Sequence, residues 1–204
     1  MEMKWSNKAV PDVPTKSSGE ILVHEPRILE TIENRIYFYS EIGRPETLQL
    51  VRAIRQMDND NLVRKQIRDE PALTPIFLHI NSYGGSVFAG LSAMDNIMAC
   101  QSKVITVVDG ICASAATFLS VVGKERLITR HSMMLIHQLS TMFWGKYSEF
   151  KDEKENLDRL MAIIKSIYLQ FTKIPPEVLD GILEHDIFFD SETCLNYGMV
   201  DRII

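Results

Sequence analysis

Ile76-Phe-Leu-His-Ile80-Asn-Ser-Tyr-Gly84-Gly85-Ser-Val87 decides the fold. Its first five residues form a short apolar run of strand length, and the Asn81 to Gly85 stretch that follows has turn chemistry. Val87 to Ala99 then has the spacing of a helix. The pattern repeats at once, with Val104-Ile-Thr-Val-Val108 as a strand, Asp109-Gly110 as a turn and Ser114 to Val122 as a helix rich in small residues. Strands alternating with helices indicate parallel βαβ units, in which ligand sites lie at the carboxyl ends of the strands. Gly84, Gly85 and Ser114 all fall at such ends.

Upstream, Arg35-Ile-Tyr-Phe-Tyr39 reads as a strand, and Pro45 opens a helix carrying Leu48, Val51 and Ile54. The charged stretch from Asp58 to Pro75 extends that helix and then becomes a loop. Residues 1–19, rich in Pro, Ser, Thr and Lys from Pro11 onward, read as a flexible arm. The remainder, 20–204, reads as one domain. Downstream, Leu157, Leu160, Met161, Ile164, Ile167, Tyr168 and Phe171 recur at helical steps, predicting a long helix over about 147–172 that Pro175-Pro176 stops. Two short helices, Pro176 to Leu183 and Ser191 to Tyr197, and a final strand from Met199 complete the chain.

Composition narrows the function. The chain has 204 residues, is 46% hydrophobic and carries a formal net charge of −5, which gives no global attraction to nucleic acid. No apolar stretch of signal-peptide or membrane length follows the charged residues Met1 to Lys8, so a cytoplasmic protein without a membrane segment is expected. The three cysteines, Cys100, Cys112 and Cys194, lack zinc-like spacing and read as buried reduced thiols. GxGxxG and the P-loop lysine are both missing.

The candidate chemistry is nucleophilic. Ser114 follows a strand and turn among small residues, where its hydroxyl is accessible and nearby backbone N–H groups can meet an oxyanion. Read alone, such a serine is most often a plain helix N-cap. The Gly84-Gly85 pair lets the backbone approach a substrate closely, although a simple turn explains it equally well. His137 ends the apolar run Met133-Met-Leu-Ile and would be delivered at a strand terminus, as a base for serine must be. Lone histidines are more often structural, and His24, His79 and His131 are read so. Asp186, ahead of Ile187-Phe188-Phe189, suits a buried carboxylate that holds one histidine tautomer. Spacing alone does not choose it over Asp180 or Asp190.

Taken in this order, the pieces closely resemble the proteolytic subunit of the Clp protease, from about Gly19 to Ile204. The most specific parts are Ile80 to Val87, Ala113-Ser114, Met134 to Gln138 and Tyr197-Gly-Met-Val-Asp201. The resemblance implies an α/β fold, a superhelix of repeated ββα units shared with crotonases, with the long helix as a protruding handle. It implies a catalytic triad of Ser114, His137 and Asp186, with the backbone N–H groups of Gly85 and Ala115 as the oxyanion hole. It also implies a homo-oligomer of two stacked heptameric rings that degrades unfolded polypeptides delivered by a hexameric Clp ATPase. ATP belongs to that partner, so no cofactor is expected.

The chain departs from the family pattern in several places. Tyr83 and Leu139 stand where the family usually has Pro, His185 where it commonly has Arg, and the connector over 58–75 is long. The arm does not resemble the usual pore loop. Two other functions compete: a non-catalytic structural subunit of such an assembly, which usually lacks a triad residue, and a crotonase-like acyl-CoA enzyme, which would need glutamates as acid and base. A serine–lysine peptidase would not need His137 or Asp186.

Overall fold

The computed structural model describes residues 29–204, so the arm over 1–19 lies outside the described residues. Among the described residues, seven strands form one sheet: β1 (Leu29–Ile32), β2 (Arg35–Phe38), β3 (Ile76–Ser82), β4 (Val104–Ala113), β5 (Glu125–Ile128), β6 (Met133–Leu135) and β7 (Arg202–Ile203). Their order is β1-β2-β3-β4-β5-β7, with β6 pairing β4 off the main path. Among the described strands, only the β1–β2 pair is antiparallel. Around the sheet lie α1 (Arg44–Arg68), α2 (Val87–Met98), α3 (Ala116–Val121), α4 (Tyr147–Phe171), α5 (Pro176–Leu183) and α6 (Ser191–Asn196). This is the mixed α/β architecture that the alternating pattern predicts.

β3 alternates buried and half-buried side chains, and Ile76, Leu78 and Ile80 are fully buried in the same core as Leu50 and Ile54 of α1 and Ala93 and Ile97 of α2. The charged connector is ordered by a few well-placed polar groups. α1 runs on to Arg68 and ends at Asp69 in the left-handed conformation. On its inner face the buried Asp58 carboxylate accepts the backbone N–H groups of Gln101 and Ser102, while Asn61 Nδ2 donates to the Thr74 carbonyl. Burial pushes the Asp58 pKa up, but these N–H donors outweigh it and hold the carboxyl below its usual range.

The most consequential difference from the sequence expectation is in β4. The expected turn at Asp109-Gly110 is instead a bulge inside one continuous strand. Ile80 pairs with Val108 but Ser82 with Cys112, so β4 carries two more residues than β3 over this step. Gly110 takes φ +104 there, its N–H donates to Ser132 Oγ, and a Cβ on it would sit 2.6 Å from Asn81 Nδ2. Beyond the bulge, Ile111 to Ala113 pair with β6, which places the end of β4 beside the segment that leads to His137.

α4 matches the predicted long helix, but its stripe is only partly covered. Ile164, Ile167 and Tyr168 are buried, whereas Tyr147, Phe150 and most of the first three turns are exposed. The preceding segment exposes Met142 and Trp144 almost completely. Lys154–Asp158 and Arg159–Glu155 pair along the exposed face, as expected of a solvated surface.

Candidate active site

The site is built where β4 and β6 end. Ser114 is the first residue beyond β4, and it is neither in α3 nor its N-cap, a role that falls to Ala115. This corrects the expected helix start. Ser114 adopts φ +54, a left-handed conformation that is costly for a residue with a side chain. Three backbone contacts hold it there: Ser114 N–H donates to the Leu135 carbonyl, and the Ser114 carbonyl accepts both the N–H and the Oγ1–H of Thr117.

Gly84 explains why no other residue fits the facing loop. It takes φ +98, and a Cβ on it would lie 2.6 Å from the Ala113 carbonyl oxygen and 2.7 Å from Ser114 Cβ. The backbone bonds of this loop run from Ile42 N–H to the Gly84 carbonyl and from Ser86 N–H to the Ile42 carbonyl. The Gly85 N–H lies between them and is used in neither. Ser86 then caps α2 by accepting the Ala89 N–H.

His137 follows β6 by two residues and makes two contacts. Its Nε2 lies 2.8 Å from Ser114 Oγ, and its Nδ1 lies 2.7 Å from Asp186 Oδ1. A carboxylate can only accept, so Nδ1 carries a proton, which in the neutral tautomer leaves Nε2 to accept from the serine hydroxyl. Asp186 is brought in by a backbone clamp. Gln138 N–H donates to the Leu183 carbonyl at the end of α5, and Met134 and Phe189 exchange a pair of backbone bonds on the other side. The expected burial of Asp186 is not found, because its side chain is 76% exposed. The other two candidates are occupied elsewhere: Asp180 pairs with Lys165 at 2.7 Å and Asp190 caps α6 through the Thr193 N–H.

A cavity of about 240 Å³ opens beside Ser114, lined by Gly85, Ala115 and His137 and by the apolar groups of Val87, Phe118, Leu139 and Ile164. Tyr83 and Tyr168 complete its wall. Tyr168 and Thr117 were not singled out as site residues from sequence, since Tyr168 reads as one more member of an apolar stripe.

His24 lies outside the described residues. His79 stacks on Tyr37 and lies 3.4 Å from Asp109, away from the serine. Burial pushes the Cys100 thiol up to about 11 and Cys194 up to about 12, and raises Cys112 further, so none is a thiolate near neutral pH.

Comparison with known proteins gives the family. The Clp protease family model matches residues 31–204. The chain belongs to the Clp protease family. Among curated relatives, the ATP-dependent Clp protease proteolytic subunit of Coffea arabica is 30% identical over 199 residues, covering 95% of this chain and 96% of its own. Proteolytic subunit 2 of Prochlorococcus marinus (strain NATL2A) is 29% identical over 177 residues, with 84% and 88% covered. The ATP-dependent Clp protease proteolytic subunit of Ostreococcus tauri is 35% identical over 136 residues, with 66% and 68% covered. This Clp protease chain is thus a serine peptidase subunit of mixed α/β fold. Among its described residues no helix is long and apolar enough to cross a membrane.

Proposed function

We propose that Ser114, His137 and Asp186 are the catalytic triad of this peptidase and that the Gly85 and Ala115 N–H groups form its oxyanion hole. The observation that carries this reading is the unbroken chain from Ser114 Oγ through the imidazole to the Asp186 carboxylate, at 2.8 and 2.7 Å. His137 Nε2 takes the hydroxyl proton as Oγ attacks a peptide carbonyl, and returns it to the leaving amine. Water, activated in the same way, then hydrolyses the acyl-enzyme. Asp186 holds the tautomer and stabilises the imidazolium. The apolar wall beside Ser114 suits an apolar side chain next to the scissile bond.

The substrates are unfolded polypeptides, and residues 20–204 act as one peptidase domain behind the arm over 1–19. Two stacked heptameric rings are the working assembly. The exposed apolar groups of α4 and its approach, Met142, Trp144, Tyr147 and Phe150, support a further copy of the chain as what covers them. A hexameric Clp ATPase feeding the rings and a cytoplasmic setting complete the proposal. Among the described residues lining the cavity there is no carboxylate, which weighs against acyl-CoA chemistry of the crotonase kind.

Intact mass after incubation with a fluorophosphonate tests the site. The expected result is one adduct on Ser114, lost in Ser114→Ala and strongly slowed in His137→Ala. No adduct on the assembled protein would overturn the triad in favour of a structural subunit.

A further inference from the structure

One buried polar contact is not needed by the triad. Thr117 Oγ1 and Tyr168 Oη lie 2.7 Å apart, and both residues are essentially inaccessible, at 0% and 1% exposure. Thr117 Oγ1 also sits 2.6 Å from the Ser114 carbonyl. That carbonyl can only accept, so the single threonine proton goes to it, and the tyrosine hydroxyl must be the donor to Thr117 Oγ1. Burial holds the Tyr168 phenol well above its ordinary pKa, so it keeps its proton. The result is a directed relay from α4, through the first turn of α3, to the backbone of Ser114, in which each bond polarises the next.

The relay ends on a peptide group with a second use. The Ser114 carbonyl and the Ala115 N–H belong to one peptide unit, which is planar and trans and therefore points the two groups in opposite directions. Fixing the carbonyl toward Thr117 aims the N–H the other way. Ala115 N faces Gly84, 3.1 Å from where a Cβ on that glycine would be, and Ala115 lines the cavity beside Gly85. Ser114 itself is in a conformation that its own side chain disfavours.

We propose that Thr117 and Tyr168 are positioning residues that aim the Ala115 N–H at the developing oxyanion by clamping the Ser114 carbonyl. This rests on Ser114 being the nucleophile and Ala115 N–H an oxyanion donor. Tyr168 acts only through the Thr117 hydroxyl, so the two groups form a series and their effects are not additive.

The test compares Thr117→Val, Thr117→Ser, Tyr168→Phe and the Val/Phe double variant in the assembled full-length protein. It reads the rate of fluorophosphonate modification at Ser114 and the kcat and KM for a short fluorogenic peptide. Thr117→Val is expected to lower the modification rate and kcat about tenfold with KM unchanged, since a misaimed donor is lost only in the transition state. Thr117→Ser restores both. Tyr168→Phe costs about threefold alone and nothing further beside Thr117→Val. Wild-type rates in Thr117→Val, failure of serine to rescue, or additive losses in the double variant would overturn the relay while leaving the triad intact. If Thr117→Val does not assemble, unchanged kcat in Tyr168→Phe overturns it. Absence of modification at Ser114 in the wild type would overturn the triad itself, and the relay with it.

Discussion

His137 Nδ1 lies 2.7 Å from Asp186 Oδ1, yet the Asp186 side chain is 76% exposed to solvent. Water therefore reaches the carboxylate freely, and in the proposed triad its work is the choice of tautomer more than a buried charge interaction. In Asp186→Asn the amide can donate to Nδ1, which moves the ring proton to Nε2 and blocks proton uptake from Ser114. Turnover is expected to fall by about 10³- to 10⁴-fold. Asp186→Ala should fall less, because water fills the exposed position and accepts from Nδ1. Peptide hydrolysis by the two variants checks the order, and an alanine variant worse than the asparagine variant would refute it.

Gly84→Ala should abolish the site without disturbing the sheet. Its Cβ would meet the Ala113 carbonyl oxygen at 2.6 Å and Ser114 Cβ at 2.7 Å, in a conformation of φ +98. Either the glycine loop or Ser114 must move, and a displacement of this size is expected to slow Ser114 modification by about 100-fold. Labelling kinetics, with circular dichroism confirming the fold, measure this.

Asp201 is expected to give the chain an acid-sensitive contribution to stability. Hydrogen bonds from the Arg126 side chain, aided by the Arg126 backbone N–H, hold its carboxyl below the usual range, while Arg126 also donates to the Phe171 and Gly198 carbonyls. A carboxyl depressed in the folded state stabilises above its unfolded value of about 3.9, and the contribution is lost as pH falls through the folded value. Thermal melts of Asp201→Asn should therefore lie below wild type at neutral pH, with the gap closing under acid conditions.

Asp58→Ala leaves the Gln101 and Ser102 N–H groups without their acceptor on the inner side of α1. A loss of about 3 kcal/mol is expected in denaturant unfolding. Conversion of Asp60, exposed on the same helix, to alanine should leave stability within about 0.5 kcal/mol of wild type.

The parts of the fold legible in the sequence are those where burial is uniform. Val104 to Val108 is buried on both faces, and Ile76 to Ile80 alternates buried with half-buried side chains, so each leaves a dense run of large apolar residues. β1 and β5 left no such trace. Leu29–Ile32 is mostly exposed, and Glu125–Ile128 is four residues long with two charges among them. The β4 bulge was hidden because a glycine after an aspartate is also ordinary turn chemistry, and only the partner strand shows that pairing resumes at Cys112. At the site, Ser114 and His137 stood at readable strand ends. The choice among Asp180, Asp186 and Asp190 depended on the clamp between Gln138 and Leu183, a long-range backbone contact that local spacing does not encode. The Thr117–Tyr168 bond is similarly hidden, since it joins residues 51 positions apart.

The proposed triad can be completed only late in synthesis. Ser114 and His137 are 23 residues apart, but Asp186 comes 49 residues later, on a segment fixed only after α4 and α5 are in place. A growing polypeptide that ends before α5 carries a hydroxyl and an imidazole but not the Asp186 carboxylate. Until that last part docks, the proposed triad stands without its carboxylate.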